Sequence, residues 1–568
     1  MKKLSEYSSE ALFRKYKSLK REFLAEETAW LDKKIAVLGG STTDNIIKML
    51  DLYLLSNGIK CEFYESEYAQ YWNDAVFGNS ELENFNPDII FIHTSNRNIS
   101  QYPQPSDTAE TVKNLLNDEF EKFTVMWEKL SEKYNCPIIQ NNFEQPFYRL
   151  MGNAECSFIS GHINFLTKLN LKFAEYAQKH KGFYINDINY LQADFGISKW
   201  SDPFYWHMYK YALCNEAIPA FAKSISNIIK SIYGKNKKAF ALDLDNTLWG
   251  GIVGDDGAEN LEMGQETSLG QTYSEFQSYI KAHKQLGVIL NVVSKNETEN
   301  ALSGLNRPDS LLTPDDFIMI KANWEPKSEN LQAIAHELSL LPESFVFVDD
   351  NPAEREIIKQ VLPNVPTPEI TTPEHYIQTI DREGFFEVTS LTDDDRNRVE
   401  QYKDNAARSK LQTQFTDYNE YLRSLEMVTE IAPFIPMYYS RIAQLTNKSN
   451  QFNLTTLRCT QEEIEKYAND EKYITLYGKL KDKFGDNGVV SVIIGEIDGT
   501  TLHIRLWLMS CRVLKRNMEN AMLDALIKTA KEKGIKTLKG YYYPTAKNAM
   551  VKDFYTQMGF SSFLLALE

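Results

Sequence analysis

Residues 238–251 read Lys238-Ala239-Phe240-Ala241-Leu242-Asp243-Leu244-Asp245-Asn246-Thr247-Leu248-Trp249-Gly250-Gly251. Phe240 to Leu242 predicts a buried parallel strand, and the strand runs into two carboxylates, Asp243 and Asp245. Side chains two apart on an extended chain share one side. Like charges that close are costly unless a cation sits between them or one is protonated. Thr247 adds a hydroxyl, and Gly250-Gly251 lets the chain turn sharply. These residue types point to phosphoryl transfer with an aspartate nucleophile.

Two later stretches repeat the pattern. Gly287 to Val293 predicts a second buried strand, ending at Ser294-Lys295-Asn296. Ser344 to Val348 predicts a third, ending Asp349-Asp350-Asn351-Pro352. Between them Lys327 stands at a helix start, Ser328 to Leu338. A carboxylate can accept a phosphoryl group as an aspartyl phosphate. Its charge repels the incoming phosphate, so a hard cation must screen it, and Mg²⁺ takes oxygen ligands from one or two carboxylates. Asp243 and Asp349 are the natural ligands, supported by Asp350. Ser294 can donate to a phosphoryl oxygen, Lys327 adds positive charge, and Asp245 can act as acid and then base.

In this order the residues resemble the four motifs of the haloacid dehalogenase superfamily. The resemblance implies Asp243 as nucleophile and metal ligand. It implies Asp245 as acid/base with its backbone carbonyl on the metal, and Ser294, Lys327 and Asp349 in the roles above. Neither the stretch from Asp243 to Ser294 nor that from Ser294 to Lys327 has room for a folded cap domain. The expectation is an open site acting on a large or tethered phosphate.

Upstream, Lys34 to Leu38, Cys61 to Tyr64, Pro87 to His93 and Asn135 to Gln140 predict strands alternating with helices, notably Thr111 to Tyr134. That pattern predicts a parallel α/β sheet with functional residues at the carboxyl ends of its strands. The order Ser41, Asn96, Asp202, His207 resembles the SGNH hydrolases. It would make Ser41 the nucleophile, His207 the base, Asp202 its orienter and Asn96 an oxyanion donor. Asp202 and His207 depart from the family's Asp-x-x-His spacing, and Ser41 also suits a helix cap. The reading favours a docking domain over a hydrolase. A polar, basic linker at Gly234 to Lys238 marks the next boundary.

Past a proline-rich exit at Leu362 to Pro368, helical patterns cover Thr392 to Arg408 and Phe415 to Leu425. Strands, a helix from Asn520, a helix from Asn548 to Met558 and a last strand from Phe560 to Leu567 then follow. That order resembles the GNAT acyltransferases, with Tyr555-Thr556-Gln557-Met558-Gly559-Phe560 as the closing signature and Tyr555 as the candidate proton donor to a thiolate. The family's pyrophosphate loop, Arg/Gln-x-x-Gly-x-Gly/Ala, corresponds to Arg512-Val513-Leu514-Lys515-Arg516-Asn517, with both glycines replaced. Lys515 and Arg516 are left to attract a phosphopantetheine phosphate. Cys511, beside Arg512, is either an acyl-carrying thiol or a small buried hydrophobe. The amide-rich run Asn447 to Thr456 is either an internal network or a contact to an acyl chain.

The expected architecture is therefore α/β multidomain: an SGNH-like α/β domain over 1–233, an uncapped haloacid-dehalogenase Rossmann-like domain over 234–375, and a GNAT-like α+β domain over 376–568. The combination, with Asn450 to Thr456 and Trp507 to Leu514, resembles the FkbH-like proteins (subfamily IIIC). It implies a Mg²⁺-dependent phosphatase or phosphotransferase coupled to an acyltransferase-like domain. The expected substrate is an acyl or carrier-protein-bound phosphate in polyketide or surface-polysaccharide synthesis. Coenzyme A, or phosphopantetheine on an acyl carrier protein, is the implied second cofactor. Alternatives are a glyceryl transferase loading a carrier from a bisphosphoglycerate-type donor, and a scaffold docking a carrier. A net charge of −16 argues against nucleic acid as a partner. Six scattered cysteines without a C-x-x-C pair suit a reducing cytoplasm. No signal peptide and no membrane span are expected.

Overall fold

The computed structural model describes residues 4–26, 30–545 and 547–561. The chain divides into two compact units, Met1–Lys230 and Ser231–Glu568. The first holds one parallel sheet of five strands: β1 (Leu31–Gly39), β2 (Ile59–Glu65), β3 (Ile89–His93), β4 (Ile138–Asn141) and β5 (Phe183–Asn186), in the order β2-β1-β3-β4-β5. All its neighbours pair in parallel. Sequence reading missed β5, a four-residue strand whose two middle residues are half-buried and whose end is polar. On one face of this sheet Phe123, Trp127, Phe165 and Phe173 are fully buried, each such side chain stabilising the fold by about 1.5–3 kcal/mol.

The second unit contains two sheets. One is parallel: β6 (Ala239–Leu242), β7 (Ile289–Ser294), β8 (Met319–Ala322) and β9 (Phe345–Val348), in the order β8-β7-β6-β9. Leu242 lies opposite both Val292 and Val348, so β6 is central and its end is level with those of its neighbours. β8 was not anticipated, because it is a half-buried edge strand containing Lys321. Apolar clusters cover both faces, which is why these strands read as continuous apolar runs. The connections between β6 and β8 carry turns and helices, and among the described residues no further sheet caps them.

The other sheet consists of β10 (Val428–Ala432), β11 (Phe452–Asn453), β12 (Tyr473–Asp482), β13 (Gly485–Asp498), β14 (Thr501–Met509) and β15 (Thr537–Gly540). Its order is β10-β12-β13-β14-β11, with β15 also paired to β14. β15 is parallel to Thr501–Ile504, whereas β11 is antiparallel at Leu508 and Met509. A helix, Met518–Glu532, follows β14. The helix expected from Asn548 to Met558 is instead two short turns, Ala549–Val551 and Phe554–Gln557. Asn548 is fully buried, and its amide donates to the carbonyls of Asn453 and Tyr543 instead of facing solvent from a helix start. Of the last expected strand, residues 562–567 lie outside the described residues. The architecture is the mixed α/β one expected, with one parallel sheet in the first unit and a parallel and a mixed sheet in the second.

Candidate active site

The carboxyl ends of β6, β7 and β9 gather the polar residues. Asp243 follows β6, Ser294 closes β7, and Asp349-Asp350 follow β9. Lys327 is the first residue of the helix Lys327–Glu337. Parallel strands in level register bring these ends together, so residues far apart in sequence meet. Carboxylate oxygens of Asp243, Asp349 and Asp350 lie within 4.8 Å of one another. Lys327 Nζ pairs with Asp243 Oδ1 at 2.9 Å and donates to Asp349 Oδ2 at 2.6 Å. Asp243 is 6% exposed, Asp349 0% and Lys327 4%. The three side chains are therefore buried at the floor of the candidate site.

Burial and the neighbouring Asp243 charge raise Asp349 and Asp350 above the usual carboxylate range. Burial works against a charged Lys327, yet Asp243 and Asp349 outweigh it and hold the ammonium above its ordinary value. One lysine cannot neutralise three converging carboxylates, so this donor set suits a hard divalent cation. Asp350 is steadied by Thr247, whose Oγ1 accepts from the Asp350 amide at 3.1 Å. Arg355, itself buried, donates to the carbonyls of Asp349 and Asp350, both at 2.7 Å.

Asp245 is held differently from Asp243. Its Oδ1 accepts from Trp249 Nε1 at 2.9 Å and from the Val253 amide at 3.0 Å. Its Oδ2 accepts from Asn296 Nδ2 at 2.9 Å. Burial and the Asp243 charge raise Asp245, while these three donors pull it back. Just past Asp245 the chain turns at Asn246, whose φ of 55° is a left-handed conformation Asn tolerates. Sequence reading missed Asn296, Trp249 and Arg355. For Asn296 a signal existed: it lies two residues past Ser294 at the same strand end.

The loop that carries Ser41 is bonded to the end of the helix that carries His207, through the Thr42 amide to the Lys210 carbonyl at 3.0 Å and the Thr42 hydroxyl to the Tyr209 carbonyl at 2.8 Å. Ser41 Oγ is buried without a hydrogen-bond partner. Asp202 spends its carboxylate capping the helix Pro203–Tyr209 through the Phe204 amide, at 2.8 Å. His207 lies on that helix and is exposed. The five-residue spacing explains this, since it places the pair at a helix start and in its last turn. Asn96 donates to the Gln145 carbonyl at 3.3 Å. The amide that reaches the Ser41 loop is that of Asn98, which donates to the Gly40 carbonyl at 2.9 Å.

The acyl-site expectations in the third sheet change too. Cys511 opens a short turn, Cys511–Val513, and faces the buried Tyr402 phenol. Arg512 is buried, and its Nε donates to Ser510 Oγ. Arg516 is not available to a phosphate: it is buried and paired with Asp482 at 3.3 Å. The Tyr555 ring packs so tightly on Gly540 that a Cβ there would lie 2.3 Å from it, and burial raises the phenol well above its ordinary value. The amide-rich run is an internal network. Asn453 is fully buried, donates to the Ser449 carbonyl and accepts from the Thr456 amide.

Comparison with known proteins adds to this geometry. A family model described as the FkbH N-terminal domain matches residues 34–230. No curated protein matches the chain. Among solved structures, the N-terminal part of BF1531 from Bacteroides fragilis, described as containing a phosphatase domain complexed with Mg, is 29% identical. It covers 66% of this chain and 99% of its own, with a TM-score of 0.61. A GDSL-like lipase from Bacteroides thetaiotaomicron is 13% identical, covering 39% of this chain and 98% of its own at a TM-score of 0.23. The ribosomal-protein-S18-alanine N-acetyltransferase from Escherichia coli is 13% identical, covering 24% of this chain and 80% of its own at a TM-score of 0.20. No helix among the described residues is long and apolar enough to cross a membrane. This chain is thus similar to the FkbH N-terminal domain over residues 34–230 and to a protein containing a phosphatase domain over 66% of its length.

Proposed function

We propose that this protein is a Mg²⁺-dependent phosphatase or phosphotransferase that works through an aspartyl phosphate. The observation carrying the reading is the convergence of Asp243, Asp349 and Asp350 within 4.8 Å, with Lys327 bonded to two of them. Mg²⁺ bound to a phosphatase-domain neighbour supports the choice of metal. Asp243, Asp349 and the backbone carbonyl of Asp245 would hold the ion, with Asp350 beside it. When bound, Mg²⁺ screens the phosphoryl charge and acts as a Lewis acid.

The chain's own groups divide the rest of the work. An Asp243 oxygen attacks phosphorus as the bond to the leaving oxygen breaks. Asp245 gives that oxygen its proton, and in the second half takes one from the water that attacks phosphorus and frees Asp243. Ser294 and Lys327 hold phosphoryl oxygens. The depth of Asp243 and the absence of a cap suit a phosphate presented at the end of a long arm, as on an acyl or carrier-protein-bound unit. Cys511 faces buried Tyr402, so covalent loading through a Cys511 thioester draws no support.

The test is phosphate release from acetyl phosphate and from glycerate phosphates with Mg²⁺. Asp243→Asn should lower turnover by at least about 10³-fold, the scale of losing a member of a catalytic unit, with an unchanged circular dichroism spectrum. Equal activity of wild type and Asp243→Asn, or no release from any phosphate, overturns the reading.

A further inference from the structure

Coenzyme A is the cofactor that the GNAT-like sheet brings to mind, and the resemblance places its pyrophosphate at the loop 512–517. Two positions of that loop have glycine-like backbone. Lys515 and Asn517, where the family pattern has glycines, have φ of 63° and 59°, the left-handed values glycine favours. What has changed is what covers the loop. Tyr418, on the helix Tyr418–Ser424, donates its hydroxyl to the Lys515 carbonyl at 2.6 Å. Arg516 Nη2 donates to Asn405 Oδ1 at 3.0 Å, and Asn405 lies on the preceding helix, Arg398–Gln412. From that helix Arg408 also reaches in, donating to both oxygens of Asp482 at 2.8 and 2.7 Å. The fully buried Asp482 thus binds Arg408 and Arg516 together. A pyrophosphate needs uncommitted cations and amides at a helix start. Here Arg516 is spent on a carboxylate, exposed Lys515 is the remaining cation of the loop, and Tyr418 and Asn405 of the helical segment 398–424 bond to the loop.

A second obstruction lies along β14. An extended, amide-bearing arm is held on a strand by free N–H and C=O groups, as in strand addition. The outer edge of β14 is already filled. Thr501–Ile504 pair with β15, Leu508 and Met509 pair with β11, and Trp507 accepts from the Leu454 amide at 3.1 Å. The Leu454 carbonyl in turn accepts from the Tyr543 amide at 2.9 Å, so residues 452–454 are laced to both sides. Asn548 adds a side-chain bond to the Asn453 carbonyl at 2.9 Å, and Thr455 Oγ1 donates to the Arg505 carbonyl at 2.6 Å.

We infer that the third sheet takes no coenzyme A: the loop 512–517 and the outer edge of β14 are occupied by this chain's own residues 405–418 and 452–454. The sheet instead braces the second one. Its loop presents Cys511 to Tyr402, a residue that packs among the core side chains of β6, β7 and β9. Asp395 is a further tie, paired with Lys448 at 2.9 Å and accepting from Gln444 Nε2 at 2.6 Å. A Cβ on Gly287, just before β7, would lie 2.0 Å from the Asp395 carbonyl oxygen.

Two measurements on the full-length protein test this. Calorimetric titration with coenzyme A and with acetyl coenzyme A should show no saturable binding, with any affinity weaker than about 1 mM. Hydrogen exchange of the amides of residues 514–518 should be unchanged by coenzyme A. Saturable binding in the micromolar range, or coenzyme-A-dependent protection of 514–518, overturns the inference.

Discussion

Asp245 accepts from three donors, and Asn296 is the one that a single substitution removes without touching the backbone or the buried Trp249 ring. A general acid matters most when the leaving oxygen is a poor leaving group. Asn296→Ala frees Asp245 Oδ2 and should lower kcat on an alkyl phosphate by about 10²-fold, the lower end of what general acid catalysis contributes. Acetyl phosphate and para-nitrophenyl phosphate, whose leaving groups depart without a proton, should change little. An equal loss on all substrates would assign Asn296 a merely structural part. In the first unit the residue to follow is Glu144, whose Oε2 accepts from the Asn96 amide at 3.1 Å. Burial pushes it up to about 7, against the pull of that amide and of Arg97. Because the folded-state value lies above the ordinary one, the fold binds more protons between pH 4.5 and 7. Stability is therefore greatest below that window and falls as pH rises through it, by about 3 kcal/mol for a shift of this size. Glu144→Gln should abolish the fall, so its melting temperature should exceed that of wild type at pH 8 and match it near pH 4. A gap that does not widen with pH would show that Glu144 is not the titrating group.

At the scale of elements, the helix Thr298–Leu305 sets where Trp249 stands, and through it Asp245. A Cβ on Gly304 would lie 2.8 Å from the Trp249 ring. Glycine to alanine inside a helix ordinarily stabilises by roughly 0.5–1 kcal/mol. Gly304→Ala should instead displace the fully buried Trp249 and weaken its bond to Asp245, lowering turnover on alkyl phosphates while the helix content by circular dichroism is kept. Unchanged turnover would mean that the ring yields without moving its Nε1. Elements such as β6, β7 and β9 were legible because a strand buried on both faces writes an unbroken apolar run, and because each such run ended in Asp or Ser. That regularity singled out Asp243, Ser294 and Asp349 before any coordinates, and the structure brings Asp243 and Asp349 together on Lys327. β5 and β8 were not, since short strands with half-buried residues carry no such run. Asn296, Trp249 and Arg355 escaped because their roles are hydrogen bonds made across turns, which spacing does not encode. Spacing was equally silent on the SGNH-like residues: the helix Pro203–Tyr209 carries Asp202 as its cap and leaves His207 exposed.

At the scale of the whole molecule, the candidate site needs more chain than its own sheet. Every residue that converges on it lies within Ser231–Glu568, one of the two compact units. Inside that unit the parallel sheet is not closed by residues 234–375 alone. On one face its core includes Tyr376 and Ile380, both buried, with Phe385 and Phe386 packed against them. On the other face Tyr402 packs with Ala239, Ile289 and Phe345. A fragment ending at 375 loses these from both faces, and removing a large buried aromatic alone costs about 3–5 kcal/mol, comparable to a small domain's whole stability. It also exposes the apolar faces of β6, β7 and β9, the condition for aggregation. We therefore propose that the working boundary lies near residue 231, with no cut between the second and third sheets. A 231–568 fragment should melt in a cooperative transition and release phosphate with Mg²⁺ at a rate within about threefold of the full chain, close to the scatter of an interaction that adds nothing. A 234–375 fragment should be insoluble or lack a melting transition. If 234–375 proves soluble, cooperative and active, the third sheet is dispensable to the site and its bracing role is wrong. If 231–568 is folded but inactive, residues of the first unit take part in the chemistry.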